Sequence, residues 1–158
     1  MKPTVKGGIL LGVLTGLWTL LMGVTGWYKD PATVNVFYLV ILLELGVLIW
    51  GLRKTSNDNT YWQQVGAGMV IALIASVIIF FVSLLFTTVL YPNYFAELRT
   101  MQEQMLRQQG KSEAEITTVL DATKPMQTPV INGLMGVVGT LVTAFLGSLI
   151  IGAIYRKK

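Results

Sequence analysis

The chain of 158 residues has no cysteine and no histidine, and only 13% of its residues are charged. Without cysteine the chain has no disulfide and no thiolate nucleophile. Without histidine it lacks the imidazole base and the commonest zinc and haem ligand. No set of catalytic side chains remains to be assembled from the residues present. We therefore expect a protein that is not an enzyme and that has no metal ion or organic cofactor.

The composition is that of a membrane protein. Hydrophobic residues make up 53% of the chain and the mean hydropathy is +0.63, values outside the range of soluble domains. The formal net charge of +4 does not indicate nucleic acid, because the basic residues gather at the ends of apolar runs. In those positions they meet lipid headgroups rather than a phosphate backbone.

Four apolar runs are each long enough to cross a bilayer, which takes roughly 20 helical residues. They cover about residues 7–27, 34–52, 65–91 and 130–155. The first run ends in Gly26, Trp27 and Tyr28 rather than in a small-x-small cleavage site, so we expect an uncleaved span. The sequence predicts an all-α integral membrane protein, a four-transmembrane-helix bundle that forms a single domain over residues 1–158.

The basic residues also predict the orientation, because short loops on the cytoplasmic side are enriched in lysine and arginine. Lys29 stands alone in the short loop between the first two runs. We expect a multi-pass protein of the cytoplasmic membrane with both termini in the cytoplasm. The basic residues then assigned to the cytoplasmic side are Lys2, Lys6, Arg53, Lys54, Arg156, Lys157 and Lys158.

The segment between the third and fourth runs, about residues 92–125, predicts an extracytoplasmic amphipathic helical hairpin. Pro92 favours a restart of the helix, Gly110 is suited to end it, and Ser112 with Glu115 is typical of a capping box for a second helix. The apolar face packs on the protein's own spans or on lipid, or receives a partner. A catalytic role for the carboxylates of this segment has no support in the pattern. The candidate surface residues are Phe95, Leu98, Met101, Met105, Leu106 and Ile116.

Small residues recur every fourth position in three of the runs, which lets helix backbones approach closely inside a membrane. This pattern predicts close packing within the bundle; the alternative is that one stripe, in the first or fourth run, forms a dimer or heteromer interface. The candidate packing residues are Gly8, Gly12 and Gly16 in the first run, Gly68 and Ala72 in the third, and Gly136, Ala144, Ser148 and Gly152 in the fourth.

Glu44 is the only acidic or basic residue in the middle of an apolar run. Because an unpaired charge is costly in lipid, we expect an uncharged carboxylic acid that is hydrogen-bonded to hydroxyls of other spans. Three interpretations remain open: a structural tie between helices, a proton or cation site, and a site that faces a partner. Matching the depth of Glu44 in its run gives the candidate neighbours Thr15, Trp18, Thr19, Ser76, Thr140 and Thr143.

Four stretches together resemble a known family: Gly51–Lys54, Gly66–Ser76, Tyr91–Phe95 and Gly110–Ile116. With the fourth span and its basic tail, they make nearly the whole chain similar to a bacterial four-span family known as domain of unknown function 4199 (DUF4199). The resemblance implies a bacterial cytoplasmic membrane and a four-span topology. It brings no activity and no residue roles.

These observations favour a noncatalytic interaction or accessory subunit of a membrane complex, in contact with lipid and with a second copy or another membrane protein. The alternative is an oligomeric small transporter or channel that uses Glu44 as a proton or cation site. The sequence identifies neither a partner nor a solute.

Overall fold

The structure, a computed structural model, describes residues 1–157, and these form helices without any β-strand. Six α-helices follow one another: α1 Pro3–Thr25, α2 Val40–Lys54, α3 Tyr61–Leu85, α4 Tyr94–Gln108, α5 Glu113–Thr123 and α6 Pro129–Ile154. A 3₁₀ segment, Val34–Leu39, leads directly into α2, and a single π-helical stretch, Phe86–Leu90, extends α3.

Four of these helical segments are long and apolar enough to cross a membrane, as predicted. They are Pro3–Thr25, Val34–Lys54, Tyr61–Leu90 and Pro129–Ile154. The predicted runs began four residues too late in α1 and α3, because both helices start with a polar turn that hydropathy alone does not include. Thr60 caps α3 through a box with Gln63, a signal that the sequence contained.

The four long helices pack in the ring order α1, α3, α6, α2, with α3 making its most extensive contacts with α6 and α1. Helices α1 and α3 run in the same direction, since successive glycines of α1 meet successive residues of α3. Both chain termini and the 55–60 connection therefore lie at one end of the bundle, which we call the terminal end. The opposite end, where α4 and α5 lie, is the α4 end.

Close approach of α1 and α3 depends on glycine. A Cβ atom on Gly8 would lie 2.6 Å from Ile74 Cβ and 2.9 Å from the carbonyl oxygen of Ile71. On Gly12 it would lie 2.8 Å from Ile78 Cβ, whereas on Gly16 the nearest atom, Val82 Cγ2, is 3.3 Å away. The small residues Gly8, Gly12 and Gly16 of α1 therefore face α3 of the same chain.

The stripe on α6 also faces its own chain. A Cβ on Gly68 of α3 would overlap the Ser148 hydroxyl, and one on Gly152 would lie 3.2 Å from Gln64 Cβ. Ala72 and Ala144 are fully buried in the core. Gly136 meets only Ile79 Cγ2, at 3.4 Å.

Gln64 closes the terminal end of the bundle. Its side chain has no exposed surface and donates from Nε2 to the carbonyl oxygens of Leu52, at 2.9 Å, and Tyr155. Its Oε1 accepts from the hydroxyl of Thr55 at 2.7 Å and from Asn59 Nδ2 at 3.3 Å. One amide thereby joins the end of α2, the start of α3 and the end of α6.

Helix α4 ends at Gln108, Gly110 follows with a φ of 75°, and α5 begins with the predicted capping box. Ser112 Oγ accepts from the Glu115 backbone amide, and the Glu115 carboxylate accepts from the Ser112 amide at 2.9 Å. Arg99 pairs with Asp121 at 3.3 Å and Arg107 with Glu113 at 2.9 Å, so ion pairs connect the two helices.

Candidate binding cavity

A cavity of about 690 Å³ lies between the four long helices in the half of the bundle nearest to α4. All four spans contribute to its wall, and residues of α4 cover it. Its lining is mainly apolar, with polar side chains at intervals. The polar lining residues are Thr15, Thr19, Tyr28, Asn35, Tyr38, Glu44, Ser83, Tyr94, Gln102, Asn132, Thr140 and Thr143.

The cavity exists because α2 and α6 touch at one end and separate towards the other. A Cβ on Gly147 of α6 would lie 2.9 Å from Leu45 Cδ2, whereas Gly139, two turns earlier, has nothing within 4 Å of such an atom. The 3₁₀ segment that precedes α2 contains no buried residue. Phe37, at 46% exposure, and Met135, at 57%, line the cavity where these two helices separate, so a gap there reaches the side of the bundle.

Glu44 stands where the cavity meets the packed core. Only 5% of its surface is exposed, and its Oε1 has no hydrogen-bond partner among residues 1–157. The hydroxyl of Thr140, on α6, lies beside the carboxyl group. Beyond Glu44 the terminal half is filled by core residues that include the fully buried Leu11, Leu48 and Ile71, so the cavity is closed on that side.

The structure brings four of the six predicted neighbours of Glu44 to the same cavity: Thr15, Thr19, Thr140 and Thr143. The other two do not line it. The Trp18 indole nitrogen and the Ser76 hydroxyl are both buried without a hydrogen-bond partner in the described chain. Thr19 donates its hydroxyl proton to the carbonyl oxygen of Thr15, one turn back, at 3.0 Å. Matching positions along the apolar runs therefore brought together four residues that share one cavity and two that lie outside its lining.

Several polar residues of the wall were not predicted. Asn132 donates to the Ser83 hydroxyl at 3.0 Å, which joins α6 to α3, and Gln127 donates to Gln102 at 2.9 Å. Asn132 and Ser83 each interrupt an apolar run, the same signal that identified Glu44, so the sequence offered a way to find them. The position of Gln102 depends on how α4 folds over the bundle and has no comparable signal.

The apolar face of α4 and α5 is largely turned inwards. Leu98, Met101 and Met105 line the cavity. Met101 and Ile116 are each 3% exposed, while Phe95 and Leu106 are half-buried. Two of the six predicted surface residues, Met101 and Ile116, are therefore buried within the protein.

Glu97 fastens α4 over the cavity. Its carboxylate accepts from Lys29 Nζ at 2.8 Å and from the hydroxyl of Tyr28, both in the loop after α1. These two hydrogen bonds, the one from Lys29 first, hold the pKa of Glu97 below its usual value. Burial, and then the bond to Glu97, raises the pKa of Tyr28. The Tyr28 ring packs among Phe86, Tyr91 and Tyr94, with centroids 5.0 to 6.4 Å away.

Within residues 1–157 no three Asp, Glu, His or Cys side chains come together as a metal site would require. A second cavity, of about 350 Å³, opens at the terminal end near Ser56 and Arg156, and no carboxyl group of the described chain lines it. The larger cavity is therefore the candidate site.

No curated protein and no solved structure matches the chain. One family model does match it, described as a protein of unknown function (DUF4199), over residues 6–157. The match includes the first candidate span from residue 6, the other three spans in full, α4, α5 and every residue of the cavity wall. The chain belongs to the DUF4199 family.

Proposed function

We propose that the protein is a noncatalytic membrane protein that binds a small molecule in the cavity between its spans. One observation carries this proposal: Glu44 reaches a cavity of about 690 Å³ and leaves a buried carboxyl oxygen without a partner in the described chain. Ligand cavities have typical volumes of roughly 300–1,000 Å³ and few polar groups in an apolar wall. Ionisable side chains inside a membrane mark binding sites or ion paths more often than structural ties.

The basic residues at the terminal end support an orientation with both termini in the cytoplasm of a bacterial cell and with α4 and α5 outside the cytoplasmic membrane. In that orientation the cavity occupies the outer half of the bilayer. Its sideways gap between α2 and α6 would admit an amphipathic ligand from the outer leaflet.

Transport by an oligomer, with Glu44 as a proton or cation site, is the second candidate, because the same carboxyl group supports it. Transport also requires the terminal half to open. In this conformation that half is filled by Leu48 and Ile71 and closed by Gln64, all without exposed surface. The geometry therefore favours binding from one side.

The hypothesis of an accessory subunit rested on the small-residue stripes and on the apolar face of α4. Gly8, Gly12, Gly68 and Gly152 already contact residues of this chain, and Met101 is buried. An accessory role remains a hypothesis that would need another surface.

Cysteine accessibility tests the cavity directly, since the chain has no cysteine of its own. Thr140→Cys places a thiol in the cavity wall, and Ala144→Cys places one a helical turn away in the packed core. In liposomes we expect N-ethylmaleimide to modify Thr140→Cys at least tenfold faster, because a thiol reacts as the thiolate and needs access to solvent and reagent. Equal and slow modification of both variants would overturn the proposed function.

The orientation has its own matched pair of variants. Gln109→Cys is exposed at the α4 end and Asn57→Cys is exposed at the terminal end. A membrane-impermeant maleimide added to spheroplasts should label the first and should label the second only after lysis. Labelling in the reverse order would invert the proposed topology.

A further inference from the structure

The chemistry of the cavity wall points to one class of ligand. Among the lining residues Glu44 is the only carboxyl group, and none of them is Lys or Arg. Lys29, whose ammonium lies 5.4 Å from the ring centroid of the lining residue Tyr28, is paired with Glu97 at 2.8 Å. An anionic ligand would thus lie against the Glu44 carboxyl group with no positively charged side chain of the lining to bind it. A cationic ligand would instead supply the positive charge that pairs with the Glu44 carboxylate.

Metal ions fit this wall poorly. Calcium takes six to eight oxygen ligands, usually several carboxylates, and magnesium requires a compact octahedron. A single carboxyl group in a space of about 690 Å³ provides neither. A larger cation, with apolar groups around its charge, fills such a space and contacts the apolar wall.

Aromatic rings surround the same space. Tyr28, Phe37, Tyr38, Phe86 and Tyr94 all line it. Tyr28 already has the Lys29 ammonium 5.4 Å from its ring centroid, within the range of a cation–π contact. Quaternary ammonium groups are bound in proteins by the faces of aromatic rings.

We propose that the cavity binds a monovalent organic cation, with the positive centre at Glu44 and its apolar groups against the aromatic and methionine side chains. This inference deepens the proposed binding function and rests on it. The ligand enters through the gap between α2 and α6, where Phe37 and Met135 are exposed, and α4 covers it at the far end.

Two probes of matched shape and opposite charge test the sign of the site: tetraphenylphosphonium and tetraphenylborate. We expect the purified full-length protein in detergent to bind tetraphenylphosphonium saturably by isothermal titration calorimetry and to show no saturable binding of tetraphenylborate. Glu44→Gln should weaken binding of the cation by about tenfold or more, because it removes the only carboxyl group of the lining, and a phosphonium, which has no hydrogen-bond donor, interacts with that group through charge alone. Glu44→Asp, which retains the carboxylate, should recover part of that loss.

Two glycine variants separate occupancy of the cavity from general effects. Gly139→Leu and Gly46→Leu both add a side chain where nothing lies within 4 Å, but only Gly139 lines the cavity. Gly139→Leu should weaken tetraphenylphosphonium binding, and Gly46→Leu should leave it unchanged. Thermal unfolding of each variant shows whether it is folded.

The outcomes distinguish the two proposals. Equal binding of both probes, or an undiminished affinity in a folded Glu44→Gln variant, would overturn the cation site; sensitivity to Gly139→Leu would then still support a binding cavity. Binding of neither probe, in a protein whose Thr140→Cys is modified rapidly, would overturn the cation site alone. Slow modification of Thr140→Cys, together with a probe affinity that Gly139→Leu does not change, would overturn the cavity as well.

Discussion

Replacement of Gly8 by alanine is expected to separate α1 from α3. The new Cβ would lie 2.6 Å from Ile74 Cβ and 2.9 Å from the backbone oxygen of Ile71. A side chain can rotate away from such a contact, but a backbone oxygen moves only with its helix. Overpacking of this kind costs about 1–3 kcal/mol. Against this cost, alanine is favoured over glycine inside a helix by about 1 kcal/mol.

Gly46→Ala is the matched control, because it makes the same change within a membrane helix where nothing lies within 4 Å of the added atom. Subtracting its effect removes the helix-propensity contribution and leaves the contact between α1 and α3. We expect Gly8→Ala to be less stable than Gly46→Ala by about 1–3 kcal/mol. Gly16→Ala should lie between them, since its nearest contact is the Val82 side chain at 3.3 Å.

The free energy of unfolding can be measured by titrating the protein in dodecylmaltoside micelles with sodium dodecyl sulfate and following helicity by circular dichroism. A Gly8→Ala variant as stable as Gly46→Ala would show that the close approach of α1 and α3 does not limit stability. The packing argument for the α1 stripe would then fail.

Two further predictions concern polar groups at the two ends of the bundle. Gln64→Leu should cost about 2–4 kcal/mol in the same titration, because it removes the hydrogen bonds of a fully buried amide to Leu52, Thr55, Asn59 and Tyr155. The exposed neighbour Gln63→Leu should cost no more than about 1 kcal/mol, through its cap alone, and equal losses would contradict the role of Gln64. At the α4 end, the pKa of Glu97 is lower in the folded protein than in the unfolded chain. Its contribution to stability is therefore fully present above the usual glutamate pKa of about 4.3, and it is lost as the pH falls through the lower pKa of the folded state. The pKa of Tyr28 is raised in the folded protein, so its contribution to stability is fully present below about pH 10 and is lost as the pH rises through the pKa of the folded state. The difference in melting temperature between wild type and Glu97→Gln should therefore be constant from about pH 5 to 9 and shrink in stronger acid. A difference that is undiminished at about pH 3 would contradict a lowered pKa of Glu97.

Local signals in the sequence predicted the helices well. Pro92 precedes a new helix at Tyr94, Gly110 adopts a positive φ, and the Ser112–Glu115 box forms. These features depend on neighbours within a few residues, so they can be recognised without knowledge of the fold. The π-helical stretch Phe86–Leu90 had no such signal, and it places Phe86 in the cavity wall.

The site was predicted only in part, because a depth in the membrane fixes a level and not a direction. Glu44 was identified because it stands alone in an apolar run, and Thr140 proved to lie beside it. Trp18 and Ser76 lie at a similar predicted depth, but both are outside the lining of the cavity. Which face a residue occupies depends on how each helix is rotated against its neighbours.

The sequence by itself determined that the chain has four helices long and apolar enough to cross a membrane, because a chain in lipid must satisfy its backbone hydrogen bonds within each helix and the apolar runs must match the bilayer. Only the tertiary structure decided that these helices enclose a cavity. That cavity follows from contacts between residues far apart in the sequence. The contact of Gly8 with Ile74 brings α1 close to α3. The contact of Gly147 with Leu45 joins α6 to α2 at one end, whereas a Cβ on Gly139 would have no described residue within 4 Å and the two helices are apart at the other end. Glu44 lies where the closed half meets the open half, a position that no local pattern encodes.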